Sequence, residues 1–377
     1  MKIILAPDAF KGSMTAEQAC AAMERAAKAV LPEALIDSIP LADGGEGTVQ
    51  ALVTATNGKT IECRVNGPLG DEVTAQYGIL GNENTAVIEM ASASGLPLVP
   101  ADQRNPLKTT TFGTGQLIRH AVEKKVDKII IGIGGSATTD CGTGMAQALG
   151  VRFIGHDDSE IDEFMTGERM GSVKDIDTHQ CLETPNVVVA CDVSNPLLGP
   201  DGAVFVYSSQ KGATTDQLSL LEKKMAHIID IIERKSGKEV RNIPGAGAAG
   251  GLGAGLMAFL QANLCPGIDI VLDACHFGER IRNADVIVTG EGAIDRQTLH
   301  GKTISGVLQH ANPLNIPVIA LAGSVADDID DLYKTGLLSA FSICSRPMSL
   351  EEALDKGEAL VQGTADRVFR LLNRVKK

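Results

Sequence analysis

A glycine- and hydroxyl-rich loop follows one buried run of the chain. Apolar residues 129–133 lead into Gly134-Gly135-Ser136-Ala137-Thr138-Thr139-Asp140, and a helical pattern follows. Consecutive glycines leave backbone N–H groups unshielded, and the start of a helix carries partial positive charge. We therefore expect an anion, and phosphate in particular, to bind Gly134, Gly135, Ser136, Ala137 and Thr138.

Two further glycine-rich stretches carry acids. They read ADGGEGT over residues 42–48 and TGEGAID over residues 289–295. Glycine in an ordinary turn needs no acid beside it, so three such loops in one chain exceed what turns require. We interpret all three as parts of one site, in which nucleotide or phosphate also contacts Gly290, Glu291 and Gly292.

Polar residues follow the first two predicted strands. Asp8, Lys11 and Ser13 come after the apolar residues 3–6, and Asp43 comes after the second strand. Open α/β sheets bind ligands at the carboxyl ends of their strands, where lysine can hold a carboxylate or phosphate and aspartate can bind metal or take a proton. The competing interpretations are an aspartate that caps a turn, a solvated lysine, and an acid near a helix start.

Two charged residues of the middle region are further candidates. Asp192 follows the apolar strand 187–190 and precedes Asn195, as a metal-binding carboxylate would, although an Asx-turn leading into Pro196 would have the same pattern. Lys211 offers a cation to an acidic substrate, or it is simple surface charge.

Two incomplete motifs keep other nucleotide chemistry open. Gly132-x-Gly134-x-x-Ala137 fits the loose dinucleotide fingerprint, with Asp157 where a ribose-binding acid would stand, but hydroxyls crowd the expected helix start. His300-Gly301-Lys302-Thr303 ends like a Walker A loop, yet position 296 is Arg where its first glycine belongs. Lys302 alone is therefore the useful residue of that segment.

The acid–base residues available are mainly carboxylates. The seven histidines fall in predicted helices and loops, and no Ser-His-Asp order can be argued from them. Phosphoryl transfer depends mostly on positioning and charge neutralisation, and one aspartate suffices to accept a hydroxyl proton. The pattern therefore favours phosphoryl transfer over hydrolysis by a serine nucleophile.

Charge and cysteine usage limit the partners. The 377 residues carry a formal net charge of -13 with a pI near 5.0, which argues against nucleic acid and anionic membranes as partners. The eight cysteines are scattered without metal-ligand spacing, and no apolar run is long enough to cross a membrane. We expect a cytoplasmic enzyme that acts on a small anionic substrate.

The elements that must position these residues follow a strand–loop–helix rhythm at both ends of the chain. Strands are predicted over 2–6, 35–39, 286–289, 318–321 and 341–343, and five strands suit a flavodoxin-like sheet. A capping box at Thr15 and Gln18 starts the first helix, and one final helix is predicted from Ser349, boxed by Glu352, to about residue 372. Alternating segments 61–65, 73–77 and 86–90 predict antiparallel strands in between.

The fold class predicted is therefore α/β with two domains. A discontinuous flavodoxin-like, or Rossmann-like, domain would comprise residues 1–60 and 270–377. A second α/β domain with the glycine-rich phosphate loops, residues 61–269, would be inserted into it, with the site where the two meet.

Taken together, the loops resemble the bacterial glycerate kinases of the galactarate and allantoin pathways. The similarity covers essentially the whole chain in order and rests on segments 6–13, 42–48, 134–138, 190–193, 195–197, 210–213, 244–253 and 289–292. It implies ATP- and Mg²⁺-dependent phosphorylation of D-glycerate, usually to 2-phosphoglycerate, on two α/β domains. The chain departs from the expected pattern at Thr139 and Cys141, at residues 207–209, and at Ala293, where arginine is usual.

These observations give one leading hypothesis for the site, a glycerate kinase. The catalytic candidates are Asp8, Lys11, Asp43, Asp192 and Asp295, with Asp295 preferred as the base and Asp8 the next choice. Asp192 and Asp295 are the candidate Mg²⁺ ligands, and substrate would contact Lys11, Ser13 and Lys211. The alternatives are a nucleotide-dependent oxidoreductase and a non-catalytic protein that binds an anion or nucleotide.

Overall fold

The computed structural model describes residues 1–45, 47–81, 83–299 and 302–375. Its strands are β1 Lys2–Pro7, β2 Leu35–Ser38, β3 Lys59–Asn66, β4 Glu72–Ile79, β5 Thr85–Glu89, β6 Lys128–Gly132, β7 Arg152–Gly155, β8 Val173–Asp177, β9 Asn186–Ala190, β10 Asn263–Cys265, β11 Val286–Ile294, β12 Val318–Val325 and β13 Leu337–Ser342. Its helices are α1 Ala16–Val30, α2 Thr48–Thr56, α3 Ala91–Ser94, α4 Phe112–Glu123, α5 Thr143–Ala148, α6 Ala203–Tyr207, α7 Thr215–Ser236, α8 Ala248–Leu260, α9 Gly267–Ala274, α10 Phe277–Arg280, α11 Thr303–Ala311, α12 Asp330–Lys334, α13 Leu350–Asp355 and α14 Gly357–Val375.

The chain divides into two compact units. Unit 1 comprises Met1–Asp43, Gln50–Gly58 and Pro266–Lys377, and unit 2 comprises Gly44–Val49 and Lys59–Cys265. Each unit has its own sheet and its own buried apolar clusters. The candidate residues are therefore described unit by unit.

Unit 1 is built on a five-stranded sheet in the order β13-β12-β11-β1-β2, with every pair parallel. Counted within the unit this is the flavodoxin-like order 2-1-3-4-5, which confirms the predicted α/β class. The fifth strand begins at Leu337, earlier than the predicted segment 341–343. Buried residues of β1, α1 and α14, among them Ile3, Met23 and Phe369, form one core on one face of the sheet.

The ends of two unit 1 helices show what local sequence could and could not predict. Thr15 and Gln18 form the predicted capping box of α1. The single final helix is wrong, because α13 ends at Asp355 and α14 begins at Gly357. A Cβ on Gly357 would lie 2.0 Å from Ser13 Oγ, so the break allows a close approach to a loop distant in sequence.

Unit 2 contains a six-stranded mixed sheet in the order β10-β9-β6-β5-β4-β3. The predicted antiparallel pairing holds for β3 with β4 and for β4 with β5. It is incomplete for β5, whose other edge pairs in parallel with β6. A separate antiparallel pair, β7 and β8, and the long helix α7 complete the unit.

The glycine-rich start of α8 is a tight, non-helical turn that leads into the regular part of the helix. Ala249, Gly250 and Gly251 have positive φ angles of 52°, 68° and 88°. A Cβ on Gly250 would lie 2.0 Å from the carbonyl oxygen of Thr138, so only glycine allows this backbone to lie against the 134–139 loop.

Two properties of the described residues complete the fold. None of their helices is both long and apolar enough to span a bilayer. All eight cysteines lie in this part of the chain, and each carries a free thiol.

Candidate active site

Asp8 and Glu291 lie at the point where the strand order of unit 1 reverses. Asp8 follows β1, Glu291 lies in β11, and these two strands pair directly, with Pro7 opposite Gly290. The Asp8 N–H donates to the Gly290 carbonyl over 2.8 Å, which holds the two strand ends together. Such a switch point is where flavodoxin-like sheets bind their ligands.

The Asp8 carboxylate is held from two sides. Its Oδ2 accepts a 2.6 Å hydrogen bond from Thr303 Oγ1, and its Oδ1 accepts one of 2.6 Å from the Ala9 N–H. Burial is the main cause that raises the pKa of Asp8 to about 6; the charge of Asp43 acts in the same direction, and the two hydrogen bonds and Lys11 oppose it. At neutral pH the group is therefore ionised and is more basic than an exposed aspartate.

Glu291 is a second buried carboxyl in unit 1. Its Oε1 accepts from Thr298 Oγ1 over 2.9 Å. Burial is the main cause that raises the pKa of Glu291 to about 7, and the charges of Asp8 and Asp295 act in the same direction. Because Asp8 contributes to that rise, the two carboxyls influence one another's protonation.

Lys11 and Asp43 lie at the same site in a looser pair. Lys11 Nζ is 3.6 Å from Asp43 Oδ2, and the lysine side chain is 79% exposed. An exposed pair of this kind contributes only about 0–1 kcal/mol, so it costs little for the lysine to bind a ligand instead. Ser13 differs, because its hydroxyl donates to the Leu354 carbonyl over 2.6 Å.

One cavity of about 750 Å³ in unit 1 joins most of these side chains. Its charged and polar lining includes Asp8, Lys11, Ser13, Asp43, Glu291, Gly292, Lys302 and Arg346. Gly290 has a different role, because a Cβ there would lie 2.4 Å from the Leu321 carbonyl oxygen, so glycine is needed for strand packing. Asp295 lies at the end of β11 and is not among the described residues that line the cavity.

In unit 2 the loop after β6 borders a smaller cavity of about 250 Å³. Its walls include backbone of Gly44, Gly45, Gly132, Gly134 and Gly135. Within the described ranges, no residue accepts a hydrogen bond from the N–H of Gly134 or Gly135. These two amides are therefore available to a ligand, and anion binding by this loop stays a prediction.

The helix that follows this loop does not present its start to a ligand. Asp140 is fully buried, and its carboxylate accepts from the N–H groups of Gly142 and Gly144 and from the N–H and hydroxyl of Thr111. Burial raises the pKa of Asp140 against these hydrogen bonds. The protein's own carboxylate thus takes the place of the anion that we expected at the N-terminus of α5.

Lys211 is buried, which corrects the idea of a surface cation. Only 2% of it is exposed, and its Nζ donates to the Thr138 carbonyl over 2.5 Å and to Ser136 Oγ over 3.4 Å. Burial lowers the pKa of Lys211 to about 7, with the charge of Asp140 opposing. In this structure the lysine holds the 134–138 loop, with Ala137 packed at 1% exposure.

Two departures from the expected family pattern contact each other in unit 2. The hydroxyls of Thr139 and Ser208 are 3.1 Å apart, and both residues are completely buried. Cys141 adopts a positive φ of 55°, a conformation that glycine adopts more readily. The packing thus accounts for Thr139 and Ser208 as a pair, whereas Ala293 lines the unit 1 cavity.

The two Mg²⁺ candidates belong to different units. Asp192 is exposed at the end of β9 in unit 2, and Asp295 is half-buried in unit 1. Across the described residues, no group of three or more His, Cys, Asp or Glu side chains could hold a metal. Magnesium in nucleotide sites commonly takes one or two protein carboxylates and fills its other positions with phosphates and water, so a metal bound in this way does not require a cluster of three protein ligands.

The structure gives no support to the two incomplete nucleotide-binding motifs. A dinucleotide loop runs directly from its strand into a helix, but here β6 ends at Gly132 and α5 begins only at Thr143. Asp157 lies between β7 and β8 and accepts hydrogen bonds from Ser159. His300 and Gly301 of the Walker-like segment, and Glu46 of the acidic loop, lie outside the described residues.

The sequence did not identify two residues whose hydrogen bonds hold parts of the candidate site in place. Thr303 was considered only as the end of a false Walker loop, yet its hydroxyl bonds Asp8. Asp140 was noted only as a polar neighbour of the loop. No short-range pattern marks Thr303, whereas an aspartate close before a helix is a recognised capping signal.

Comparison with known proteins gives a consistent result. The model of the glycerate kinase family matches residues 3–373. A glycerate kinase of Halalkalibacterium halodurans is 49% identical over 97% of each chain, and the glycerate 2-kinase of Escherichia coli is 44% identical over 94% of this chain and 93% of its own. A solved structure assigned as glycerate kinase 2 of Salmonella typhimurium LT2 superposes with a TM-score of 0.91 at 44% identity, covering 100% of this chain and 99% of the other. This chain belongs to the glycerate kinase family.

Proposed function

We propose that the protein transfers the γ-phosphoryl group of ATP to the 2-hydroxyl of D-glycerate and releases ADP and 2-phospho-D-glycerate. Family membership supports kinase activity with glycerate as acceptor. The similarity to the glycerate 2-kinase of Escherichia coli supports the position of transfer. We include Mg²⁺ and a cytoplasmic location in the same proposal.

The observation that carries the proposal is the pair of buried carboxyls at the unit 1 switch point. Asp8 and Glu291 line one cavity with the cations Lys11 and Lys302. An acceptor hydroxyl needs a base near neutral pH, and anionic phosphates need nearby positive charge. The oxidoreductase alternative has less support, because the loop after β6 does not run directly into a helix as a dinucleotide loop does. A protein that only binds an anion would gain nothing from buried carboxylates.

We assign the role of base to Asp8, in preference to Asp295. Asp8 lines the cavity and has a raised pKa, whereas Asp295 does not line it among the described residues. As the hydroxyl oxygen of glycerate forms its bond to the γ-phosphorus, the bond from that phosphorus to the β,γ-bridging oxygen breaks. The hydroxyl proton passes to the Asp8 carboxylate, and ADP carries away the electron pair of the broken bond.

The other candidates have supporting roles in this proposal. Lys11 and Lys302 neutralise phosphate or carboxylate charge. The amides of Gly134 and Gly135, which have no acceptor in the described part of the chain, bind an anionic group. Mg²⁺, when bound with the nucleotide, supplies further neutralisation at the phosphates, with Asp192 and Asp295 as its candidate ligands. Lys211 acts through the loop that it holds.

The test is to incubate the purified protein with Mg²⁺-ATP and D-glycerate and to measure ADP formation. We expect glycerate-dependent ADP, and phosphorus NMR of the product should give the 2-phosphoglycerate resonance. The 3-phosphoglycerate resonance would correct the position of transfer. NAD(P)H turnover, or binding without ADP, would instead support the oxidoreductase or the non-catalytic alternative.

A further inference from the structure

The unit 1 cavity has a large apolar part that the proposed chemistry does not use. Its apolar walls include Phe10, Ile343, Met348, Leu350, Ala353 and Leu354, and the segment between β13 and α13 also brings Arg346 to the cavity. Leu350 is 75% exposed, which is unusual for a leucine at the edge of a cavity. This apolar wall comes from the segment between β13 and α13 and from α13 itself.

Size limits what can occupy the cavity. Its volume of about 750 Å³ lies in the range of about 300–1,000 Å³ that holds drug-sized ligands. Glycerate is a three-carbon acid with a polar group on every carbon, so it would fill a small fraction and gain nothing from an apolar wall. The unit 2 cavity, at about 250 Å³ and with five glycines in its lining, is closer to the size of a small anion.

The charged and apolar parts of the cavity lining also favour ATP over glycerate. One part of the unit 1 cavity carries the cations Lys11 and Lys302, and another part is apolar. Of the two substrates of the proposed reaction, only ATP combines several negative charges with a large flat ring system. A similar volume of about 710 Å³ in unit 2, lined by Leu182, Lys235 and Phe259, contains none of the candidate residues.

We propose that the adenosine part of ATP binds the apolar part of the unit 1 cavity, against Phe10, Ile343 and α13, with its phosphates toward Lys11 and Lys302. This inference rests on the proposed function, because it takes ATP to be the donor. It assigns residues 343–354 a ligand contact that the sequence did not indicate.

A fluorescence titration tests the site without turnover. The protein has no tryptophan, so Leu350→Trp places a single indole at the cavity edge. We expect ADP to change its emission saturably, whereas inorganic triphosphate and glycerate should not. Glu351→Trp is the matched control, because Glu351 is exposed on the same helix and does not line the cavity.

A kinetic variant tests the same site by filling it. Ala353→Phe adds a ring to the apolar wall without removing a polar group. Lost burial of the adenine ring should raise the KM for ATP by about 10–100-fold, while the KM for glycerate stays within about twofold. Circular dichroism and a thermal melt establish that the variant is folded.

The outcomes are separable. A saturable response to ADP only in Leu350→Trp, together with a raised KM for ATP in Ala353→Phe, supports the proposal. No response to ADP, or an Ala353→Phe variant whose glycerate KM rises instead, overturns it. Failure of the proposed function has a different signature, namely a wild-type protein that forms no glycerate-dependent ADP.

Discussion

At the scale of single residues, Asp8 combines burial, two hydrogen-bond donors and a place at the switch point. Asp8→Asn keeps the shape but cannot accept a proton at the same oxygen. We expect kcat to fall by about 10²–10⁴-fold with a smaller change in the KM for ATP. Steady-state kinetics of Asp8→Asn beside Asp295→Asn at saturating Mg²⁺ measure this. Asp295→Asn, which removes a candidate Mg²⁺ ligand, should mainly raise the Mg²⁺ concentration needed for half-maximal activity.

The pH dependence of the same reaction checks the assignment independently. The base must be ionised, so log kcat/KM for the wild type should rise with pH up to about 6, the pKa of Asp8, and level off above it. If Asp295→Asn abolishes turnover even at saturating Mg²⁺ while Asp8→Asn retains it, the base is Asp295.

Lys211 allows a prediction about stability. Its folded pKa of about 7 lies below its ordinary value of 10.5, so between these values the unfolded chain binds one more proton and stability rises with pH. The penalty for the buried charge is fully present below pH 7 and is relieved above it. The free energy of unfolding of wild type relative to Lys211→Met should therefore increase by about 1 kcal/mol or more from pH 7 to pH 9.

Urea unfolding of both proteins at several pH values measures this difference. Lys223→Met removes an exposed lysine of the same unit and should show no such trend. A difference between wild type and Lys211→Met that is constant with pH would contradict the proposed cost of burying this charge.

At the scale of elements, the approach of the α8 start to the 134–139 loop depends on Gly250. Gly250→Ala adds a methyl group 2.0 Å from the Thr138 oxygen, so the loop must shift. Gly237→Ala is a matched control, because Gly237 has the same φ of 68° but nothing within 4 Å of the added atom. We expect the control to cost about 1–2 kcal/mol and Gly250→Ala about 1–3 kcal/mol more.

Urea unfolding at one pH measures both costs. The same loop carries the Gly134 and Gly135 amides that we propose bind an anion. Gly250→Ala should therefore also raise the KM for ATP or for glycerate, and Gly237→Ala should leave both values unchanged. Equal losses of unfolding free energy in the two variants would mean that the loop moves away from the added methyl group at no cost in stability.

The sequence predicted elements well where the signal is local. Alternation, apolar runs and the Thr15–Gln18 box located strands β1 to β4 and helix α1. The break between α13 and α14 was not predicted, and the close approach of Gly357 to Ser13 joins residues that are far apart in the chain. Contacts between residues so far apart produce no periodic pattern of apolar residues in the local sequence.

The residues of the candidate site were likewise predictable only where a local sequence signal marks them. The position of Asp8 at the end of β1 could be read from the sequence, because ligands bind at the carboxyl ends of parallel strands. Glu291 was expected just after its strand and instead lies within β11. The burial of Lys211 could not be read from the sequence, since a lysine between Gln210 and Gly212 has the composition of a surface turn. The catalytic and binding roles of these residues stay predictions.

At the scale of the whole molecule, the two units differ in how far apart their partners lie in sequence. Most of unit 2 is continuous from Lys59 to Cys265, whereas β1 of unit 1 pairs with β11, for example Ile4 with Ile287. Closing so long a loop is slow, because its entropy cost precedes any contact. We expect unit 2 to fold before unit 1.

Pulsed hydrogen exchange during refolding, read by mass spectrometry, checks this order. Amides of β6 and β9 should become protected earlier than those of β1 and β11. Protection of β1 first, or of all four strands together, would show that the sheets form in another order.

The two ends of the chain both belong to unit 1, where β1 pairs with β11 and β2, and α1 and α14 share one core. During evolution, insertions and exchanges between Lys59 and Cys265 therefore fall within unit 2 and do not alter the strand register of the unit 1 sheet. The same number of changes near either terminus would fall on β1 or α14, which belong to the core of unit 1.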